Sequence, residues 1–163
     1  MRARNGGGLR LQPREIDPHA VVARTIDDLR VSFPGRRLEH ATVGAGTCVA
    51  DPDRLAQLLG NLVGNAMTLG DPTGVVTLTS TINDRSLTMS VHSDGPPVPP
   101  EQLPTFFDAT ARGSSNGPSP AAGLGFFIVR EIARAHGGSV TAQSSPDDGT
   151  TIAVVLPVAV TAG

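Results

Sequence analysis

The sequence predicts an α+β fold: a two-layer α/β sandwich whose mixed, mainly antiparallel sheet is covered on one face by three helices. Three segments carry apolar residues at helical spacing, and two pairs of strand-like segments are joined by short turns typical of hairpins. Hairpins make neighbouring strands antiparallel, and amphipathic helices need an apolar sheet face to pack against. The 163 residues are the length of one domain.

Two of the helices have clear starts. The first is predicted over Pro18–Ser32, with Asp17 as its N-cap. The second follows Asp51 as N-cap, has Pro52 at its first position and extends to about Leu69. Its apolar residues share one broad face. They are Leu55, Leu58, Leu59, Leu62, Val63, Ala66 and Leu69.

Seven segments have the composition of strands. They are residues 9–11, 37–43, 47–50, 75–82, 86–93, 139–144 and 150–158. Between the fifth and sixth of them, residues 95–122 are rich in Pro, Gly and Ser and predict a long loop, which in a compact domain is usually functional or disordered. The third helix is predicted over 123–136, and Gly137 and Gly138 end it. We expect a flexible segment over 1–14, one domain over 15–158 and a tail over 159–163.

The composition excludes several classes of function. All 13 basic residues are Arg, so the chain has neither the lysine of a P-loop nor a Schiff-base lysine. Tyr and Trp are absent, and the formal net charge is −2, so nucleic acid and anionic membranes are not expected as partners. Cys48 is the single cysteine, which excludes an internal disulfide. A nucleotide phosphate would have to be bound by backbone amides, Arg and a metal ion.

A polar stripe follows one edge of the second helix. Asn61, Asn65 and Thr68 stand at positions i, i+4 and i+7, beside the apolar face. Such a stripe can present amides to a ligand while the helix is anchored in the core. It can equally be a solvated helix edge, and the spacing alone leaves both interpretations open.

Four short motifs occur in an order that one family shares. They are Asn61-Leu-Val-Gly-Asn65, Ser93-Asp-Gly-Pro-Pro97, Gly123-Leu-Gly125 and Gly149-Thr150. With the Asp51-Pro52 helix start and the closing His136-Gly-Gly138, they resemble the catalytic ATP-binding domain of bacterial two-component sensor histidine kinases. These belong to the gyrase, chaperone, histidine kinase and mismatch-repair ATPase superfamily. The resemblance covers roughly residues 9–157.

The resemblance implies ATP and Mg²⁺ as cofactors and assigns roles to individual residues. Asn65 matches the asparagine whose side-chain oxygen ligates Mg²⁺, and Asn61 matches the asparagine near the phosphates. Arg112 matches an arginine that reaches the γ-phosphate from a lid over 95–122. These three are the implied catalytic residues. The nucleotide contacts implied are Asn61, Asn65, Thr68, Ser93, Gly95, Gly123, Leu124, Gly125 and Thr150.

The chain departs from the family pattern at several nucleotide positions. Ser93 stands where the family has an aspartate that accepts a hydrogen bond from the adenine amino group, and Asp94 is one residue out of register. A hydroxyl in place of a charged acceptor costs on the order of 1 kcal/mol, a several-fold loss of affinity. Pro97 replaces the second glycine of that motif. Thr68 stands where many relatives have Lys, and Ala121 where many have the first glycine of the phosphate loop.

The phosphoacceptor histidine of such kinases is not recognisable in the chain. His19, His40 and His92 lack the residues that normally surround the acceptor, and we interpret them as surface or hydrogen-bonded core histidines. We therefore expect phosphotransfer in trans to a dimerisation/phosphoacceptor domain, which serves a response regulator. Both an excised fragment and a split kinase fit this pattern.

Two other functions remain open. Ser93 and Pro97 favour a degenerate, kinase-like binding module that docks a partner without phosphotransfer. A serine kinase of the anti-sigma type shares the ATP site, but the long loop and the segment 9–31 argue against it. With no recognisable export signal or apolar run long enough to span a membrane, the sequence predicts a cytoplasmic domain. Without a helical dimerisation domain, we expect it to be a monomer on its own.

Overall fold

A computed structural model describes residues 10–69, 71–94, 120–145 and 147–158. Within these ranges the chain forms three helices and seven strands. They are β1 (Arg14–Ile16), α1 (Pro18–Ser32), β2 (Arg37–Val43), β3 (Cys48–Ala50), α2 (Pro52–Leu69), β4 (Val75–Ile82), β5 (Ser86–Ser93), α3 (Pro120–Ala135), β6 (Ser139–Ser145) and β7 (Gly149–Pro157). None of the helices in the described ranges combines the length and hydrophobicity that a bilayer span requires.

The strands form one large sheet and one small one. The five-stranded sheet has the order β2-β4-β5-β7-β6, in which β2 and β4 are parallel and all other neighbours are antiparallel. β1 and β3 pair separately as a two-stranded antiparallel sheet. The mixed, mainly antiparallel sheet confirms the predicted fold class.

The core lies between one face of the sheet and the three helices. Along β4 and β5 every second residue is buried, as expected for strands with one covered face. Helix α1 packs on β2 and β4, α2 on β4 and β5, and α3 on β6 and β7. Two core residues, Met67 on α2 and Met89 on β5, fill positions between the aliphatic side chains. The uncovered face is rich in small hydroxyl residues, namely Thr77, Thr79, Thr81, Thr88 and Ser90.

Asp51 joins three parts of the fold. It is only 6% exposed, and its carboxylate accepts hydrogen bonds from the backbone N–H groups of Asp53 (3.0 Å) and Arg54 (3.2 Å), which caps α2 as predicted. The same carboxylate accepts a bond from the N–H of Gln12 (2.8 Å), which ties down the chain before β1. The N–H of Asp51 itself donates to Nε2 of His136 (3.1 Å).

His136 connects the end of α3 to this cap. Its ring is 1% exposed, and its Nδ1–H donates to the carbonyl of Ile132 (2.9 Å), so that Nε2 must be the unprotonated acceptor facing Asp51. Burial lowers the pKa of His136 from 6.5, although the Ile132 bond and the Asp51 charge act in the opposite direction. These contacts give the histidine a structural role at the end of α3.

Helix α3 ends in the way its glycines predict. The N–H of Gly138 donates to the Ala133 carbonyl (2.8 Å) and that of Gly137 to the Arg134 carbonyl (2.9 Å), the two bonds of a Schellman motif. Gly137 has a φ of +80°, and a Cβ on Gly138 would lie 2.1 Å from the carbonyl oxygen of Val155. A side chain at position 138 would therefore push the turn away from β7.

Two predicted boundaries are wrong. Residues 10 and 11 of the strand expected at 9–11 are not in a strand; β1 begins instead at Arg14, which pairs with Ala50, because Pro13 has no N–H with which to continue the ladder. Helix α3 begins at Pro120 rather than at 123, since Pro is favoured at the first helical position and the two alanines after it are strong helix formers. The first three residues of α3 were predicted as loop; residues 95–119 of that predicted loop lie outside the described residues.

Replacing Asp51 with Ala is expected to destabilise the domain by about 2–3 kcal/mol, because three backbone donors lose a charged acceptor. Chemical denaturation measures this loss. Asp53→Ala is the matched control, an exposed carboxylate in the first turn of the same helix, and should cost no more than about 0.5 kcal/mol. Equal losses in the two variants would contradict the role assigned to Asp51.

Stability is expected to fall with pH below about 6.5. Below that pH the imidazole of His136 binds a proton more readily in the unfolded chain than in the folded domain. The free energy of unfolding therefore decreases as the pH falls from about 6.5 to the lowered pKa of the folded state, by up to about 1.4 kcal/mol per pH unit for each such histidine. Urea denaturation between pH 5 and 8 of the wild type and His136→Gln measures this slope. The residual slope of the variant belongs to His40, whose pKa is lowered by burial and then by the charges of His19 and Arg30. An undiminished slope in His136→Gln would refute the assignment.

Candidate functional site

Two asparagine side chains on α2 have uncommitted polar groups. Asn65 is 9% exposed, and its Nδ2 donates to the Asn61 carbonyl oxygen (2.7 Å), which leaves Oδ1 as the acceptor of that amide. The Nδ2 group of Asn61 is itself buried and has no hydrogen-bond partner among the described residues. A buried polar group left without a partner costs about 1–3 kcal/mol, so this pair points to a ligand rather than to a solvated helix edge.

The donor set of the pair fits the implied cofactors. Mg²⁺ takes oxygen ligands and retains several waters, and the Asn65 Oδ1 is a neutral oxygen of the right kind. The Asn61 Nδ2 is a donor and suits a phosphate oxygen. No group of three or more His, Cys, Asp or Glu residues with metal-ligand geometry exists in the described ranges.

Thr68 continues the stripe but differs from the two asparagines. Its side chain is exposed, and its Oγ1 donates to the Gly64 carbonyl (2.9 Å) within the same helix. The stripe therefore has one buried member, Asn65, one partly buried member, Asn61, and one at the surface. The C-terminal end of α2 is held by Arg36, whose guanidinium donates to the carbonyls of Met67 (2.9 Å) and Asp71 (3.3 Å). A cation at a helix C-terminus is favourable on electrostatic grounds.

A row of hydroxyl groups lies at one end of the sheet. Ser93 on β5 pairs with Thr150 on β7, and Thr150 pairs with Ser144 on β6. Because side chains alternate along strands, these three share the helix-covered face with core residues two positions away on their strands, such as Val91 on β5. Ser93 is 8% exposed, and the Ser144 and Thr150 hydroxyls are hydrogen-bonded to each other (2.8 Å).

The hydroxyl row and the asparagines lie at the same end of the molecule. The N–H of Asp71, just after α2, donates to the carbonyl of Asp94, just after β5 (2.8 Å). This bond ties the end of the helix that carries Asn65 to the end of the strand that carries Ser93. Gly149 allows the strands to approach closely at this point, since its φ is +73° and a Cβ there would lie 2.3 Å from the Ser93 carbonyl oxygen.

The other residues implied by the resemblance lie either within α3 or outside the described residues. Gly123, Leu124 and Gly125 are the fourth, fifth and sixth residues of α3, not its first ones. Gly95 and Arg112 lie outside the described residues.

Three contacts at this site could not have been found from the sequence. Ser144 and Arg36 act through partners on other elements, which no local pattern marks. The Gly149-Thr150 motif does not reveal that Gly149 lies against Ser93 on β5. A serine in a strand, a glycine in a turn and an arginine before a strand each have an ordinary interpretation. Only the register of β6 and β7 and the packing of α2 show what they contact.

All four histidines of the chain are in the described part, and each is hydrogen-bonded. His19 contacts Ser80 Oγ (2.7 Å) and the Gly44 carbonyl (2.9 Å), and His40 contacts the same hydroxyl (2.9 Å). His92 contacts the Asp148 carbonyl, and His136 the Asp51 cap. The first three agree with their interpretation as satisfied histidines.

Comparison with known proteins identifies the class to which this fold and site belong. Residues 50–160, more than half of the chain, match the family model described as histidine kinase-, DNA gyrase B- and HSP90-like ATPase. The chain belongs to this family, and the prediction of a sensor histidine kinase catalytic domain is confirmed.

The relatives are sensor kinases of greater length. The chain is 31% identical over 156 residues to the signal transduction histidine-protein kinase BaeS of Escherichia coli K12, covering 93% of this chain and 33% of BaeS. It is 36% identical over 157 residues to the sensor histidine kinase TrcS of Mycobacterium tuberculosis, covering 91% of this chain and 30% of TrcS. The chain thus spans about a third of these two relatives.

Solved structures share the fold. Full-length ShkA in complex with AMPPNP matches with a TM-score of 0.79 and 27% identity, over 96% of this chain and 33% of ShkA. The mycobacterial sensor histidine kinase MprB matches with a TM-score of 0.75 and 22% identity, over 92% of this chain and 100% of the MprB chain. At that identity the second likeness shows the fold alone.

Proposed function

We propose that this domain binds ATP with Mg²⁺ and transfers the γ-phosphoryl group to a histidine on a separate dimerisation/phosphoacceptor domain. The observation that carries the proposal is the polar pair on α2: the buried Nδ2 group of Asn61 has no partner among the described residues, and the Asn65 amide donates through Nδ2 within the helix, which leaves Oδ1 as its acceptor. Family membership and the likeness to a kinase complexed with AMPPNP support the choice of ATP.

In this proposal each uncommitted group has one task. Asn65 Oδ1 ligates the metal, Asn61 Nδ2 donates to the phosphates, and Ser93 and Thr150 contact the base. The metal, when bound, neutralises phosphate charge. Phosphoryl transfer needs positioning and charge stabilisation more than covalent chemistry, so a chain without lysine can perform it with amides, Arg112 and Mg²⁺.

Contact between the glycine motif of α3 and the phosphates requires a change at the start of this helix. Roughly the first four N–H groups of a helix have no partner within it, which includes that of Gly123. Leu124 and Gly125 lie beyond this limit. Their amides can donate to a phosphate only where the first turn of α3 opens, and we propose such an opened turn, together with Gly95 contacts to the base, for the nucleotide-bound domain.

Transfer in trans is supported by the histidines. Each of the four is engaged in a hydrogen bond within the domain, and His136 is fully enclosed. We therefore propose that the acceptor histidine belongs to a separate helical domain and that a response regulator receives the phosphoryl group from it. ATP is a cytosolic metabolite, so we propose the cytosol as the compartment.

A second candidate is a binding module that docks the same partner without phosphotransfer. The observation that favours it is Ser93, a hydroxyl on the covered face where the family pattern has a carboxylate. A hydroxyl in place of the carboxylate lowers the affinity for the nucleotide several-fold, which weakens nucleotide binding without excluding it.

Asn65→Ala is expected to lower the affinity for ATP in the presence of Mg²⁺ by about tenfold or more, because the metal loses a protein oxygen. Without metal the loss should be much smaller. Isothermal titration calorimetry with and without Mg²⁺ measures both values. Gln57→Ala, at an exposed position of the same helix, is the control and should bind like the wild type. A variant Asn65→Ala with unchanged Mg²⁺-dependent affinity would overturn the metal assignment.

Mixing the chain with γ-labelled ATP and a panel of isolated phosphoacceptor domains from sensor kinases should label an acceptor. The label should be lost in acid and kept in base, as expected of phosphohistidine, and Asn65→Ala should abolish it while its thermal unfolding remains cooperative. Nucleotide binding without label on any acceptor would favour the binding module. Acid-labile label on the chain itself would contradict transfer in trans.

A further inference from the structure

The polar groups in the hydroxyl row are of one chemical type. Ser93, Thr150 and Ser144 each present a hydroxyl on the covered face at the end of the sheet. A hydroxyl donates one hydrogen bond and accepts others, and it rotates to suit its partner, whereas an ionised carboxylate only accepts. The row can thus meet either a donor or an acceptor on a ligand.

The carboxylate of Asp94 points away from this face. Asp94 follows Ser93 directly, but its side chain is 63% exposed, and its Oδ1 lies 4.0 Å from Nε2 of His92. His92 is on the uncovered face of β5, because side chains alternate along the strand. The carboxylate of Asp148, in the turn before β7, contacts the hydroxyl of Ser145 (3.2 Å), which precedes the turn.

Ser93 is the adaptable member of the row. Thr150 and Ser144 are bonded to each other, while no described residue hydrogen-bonds with the Ser93 hydroxyl, although the residue is more than nine-tenths buried. A hydroxyl that no described residue engages can turn its proton toward a ligand acceptor or turn its lone pair toward a ligand donor.

This difference separates adenine from guanine. Adenine carries an amino donor where guanine carries a carbonyl acceptor. An acceptor-only carboxylate facing that atom binds the first and repels the second, and sites built around one fixed hydrogen-bond type discriminate strongly. A hydroxyl that rotates accepts from the amino group or donates to the carbonyl and discriminates little.

We propose that the base site takes both purines, so that the substrate class is purine nucleoside triphosphates, with ATP and GTP bound within about tenfold of each other. The inference rests on the proposed function, since it assumes that the nucleotide base lies against Ser93. It assigns to Ser93 the loss of base selectivity.

The test compares the affinities of the full chain for ATP and GTP, each with Mg²⁺, by isothermal titration calorimetry. The wild type should bind both within about tenfold. Ser93→Asp should raise the preference for ATP by about tenfold or more, mostly through weaker GTP binding. Ser90→Asp is the matched control, because it places the same charge on the uncovered face of the same strand and should leave the ratio unchanged.

Ser93→Ala covers the case in which the buried aspartate prevents folding. This variant should weaken ATP and GTP to a similar extent and keep their ratio near that of the wild type. A wild-type preference for either nucleotide clearly greater than tenfold overturns the inference and leaves the proposed function standing. Unequal weakening in Ser93→Ala also overturns it. A natively folded chain that binds neither nucleotide overturns both the inference and the proposed function.

Discussion

The hydrogen-bonded junction of Asp51 and His136 holds the parts of this domain together. One carboxylate caps α2 and ties down the chain before β1, while the backbone N–H of the same residue donates to an imidazole at the end of α3. Each group in the junction has a partner of the required type only while His136 is neutral, since a protonated ring would place a second donor against the Asp51 N–H. Burial keeps the ring in that state by lowering its pKa.

The junction matters for the site because it fixes one end of α2, and Arg36 fixes the other. A helix held at both ends presents Asn61 and Asn65 in a constant position, and the bond between Asp71 and Asp94 ties that position to the end of β5. The structure can then leave the buried Nδ2 group of Asn61 without a partner among the described residues. The free-energy cost of leaving that polar group without a hydrogen bond is offset by burial of the apolar face of α2, whose core residues are almost fully enclosed.

Elements with strong local signals were predictable from the sequence. The caps and apolar spacing of α1 and α2 and the alternation in β4 and β5 gave their bounds, because these signals act between residues a few positions apart. The start of α3 was not, since the Gly123 motif obscured a helix that begins at Pro120. The amide stripe on α2 was predictable as a pattern but not as a site. Only the packing of α2 shows that Asn65 is buried and that Nδ2 of Asn61 has no partner in the described part of the chain.

In the proposed function, the change at Ser93 affects recognition of the base and not of the phosphates. Replacing a carboxylate by the Ser93 hydroxyl removes on the order of 1 kcal/mol of base recognition, while the amide oxygen proposed for Mg²⁺ is unaffected by that change. Most of the charge that a nucleotide brings to a protein is on its triphosphate, so affinity and positioning of the reacting phosphate depend more on α2 than on the hydroxyl row. In the proposed function, selectivity for the base and competence for phosphoryl transfer are therefore separable, and a weaker selectivity at Ser93 would not by itself imply a loss of phosphoryl transfer.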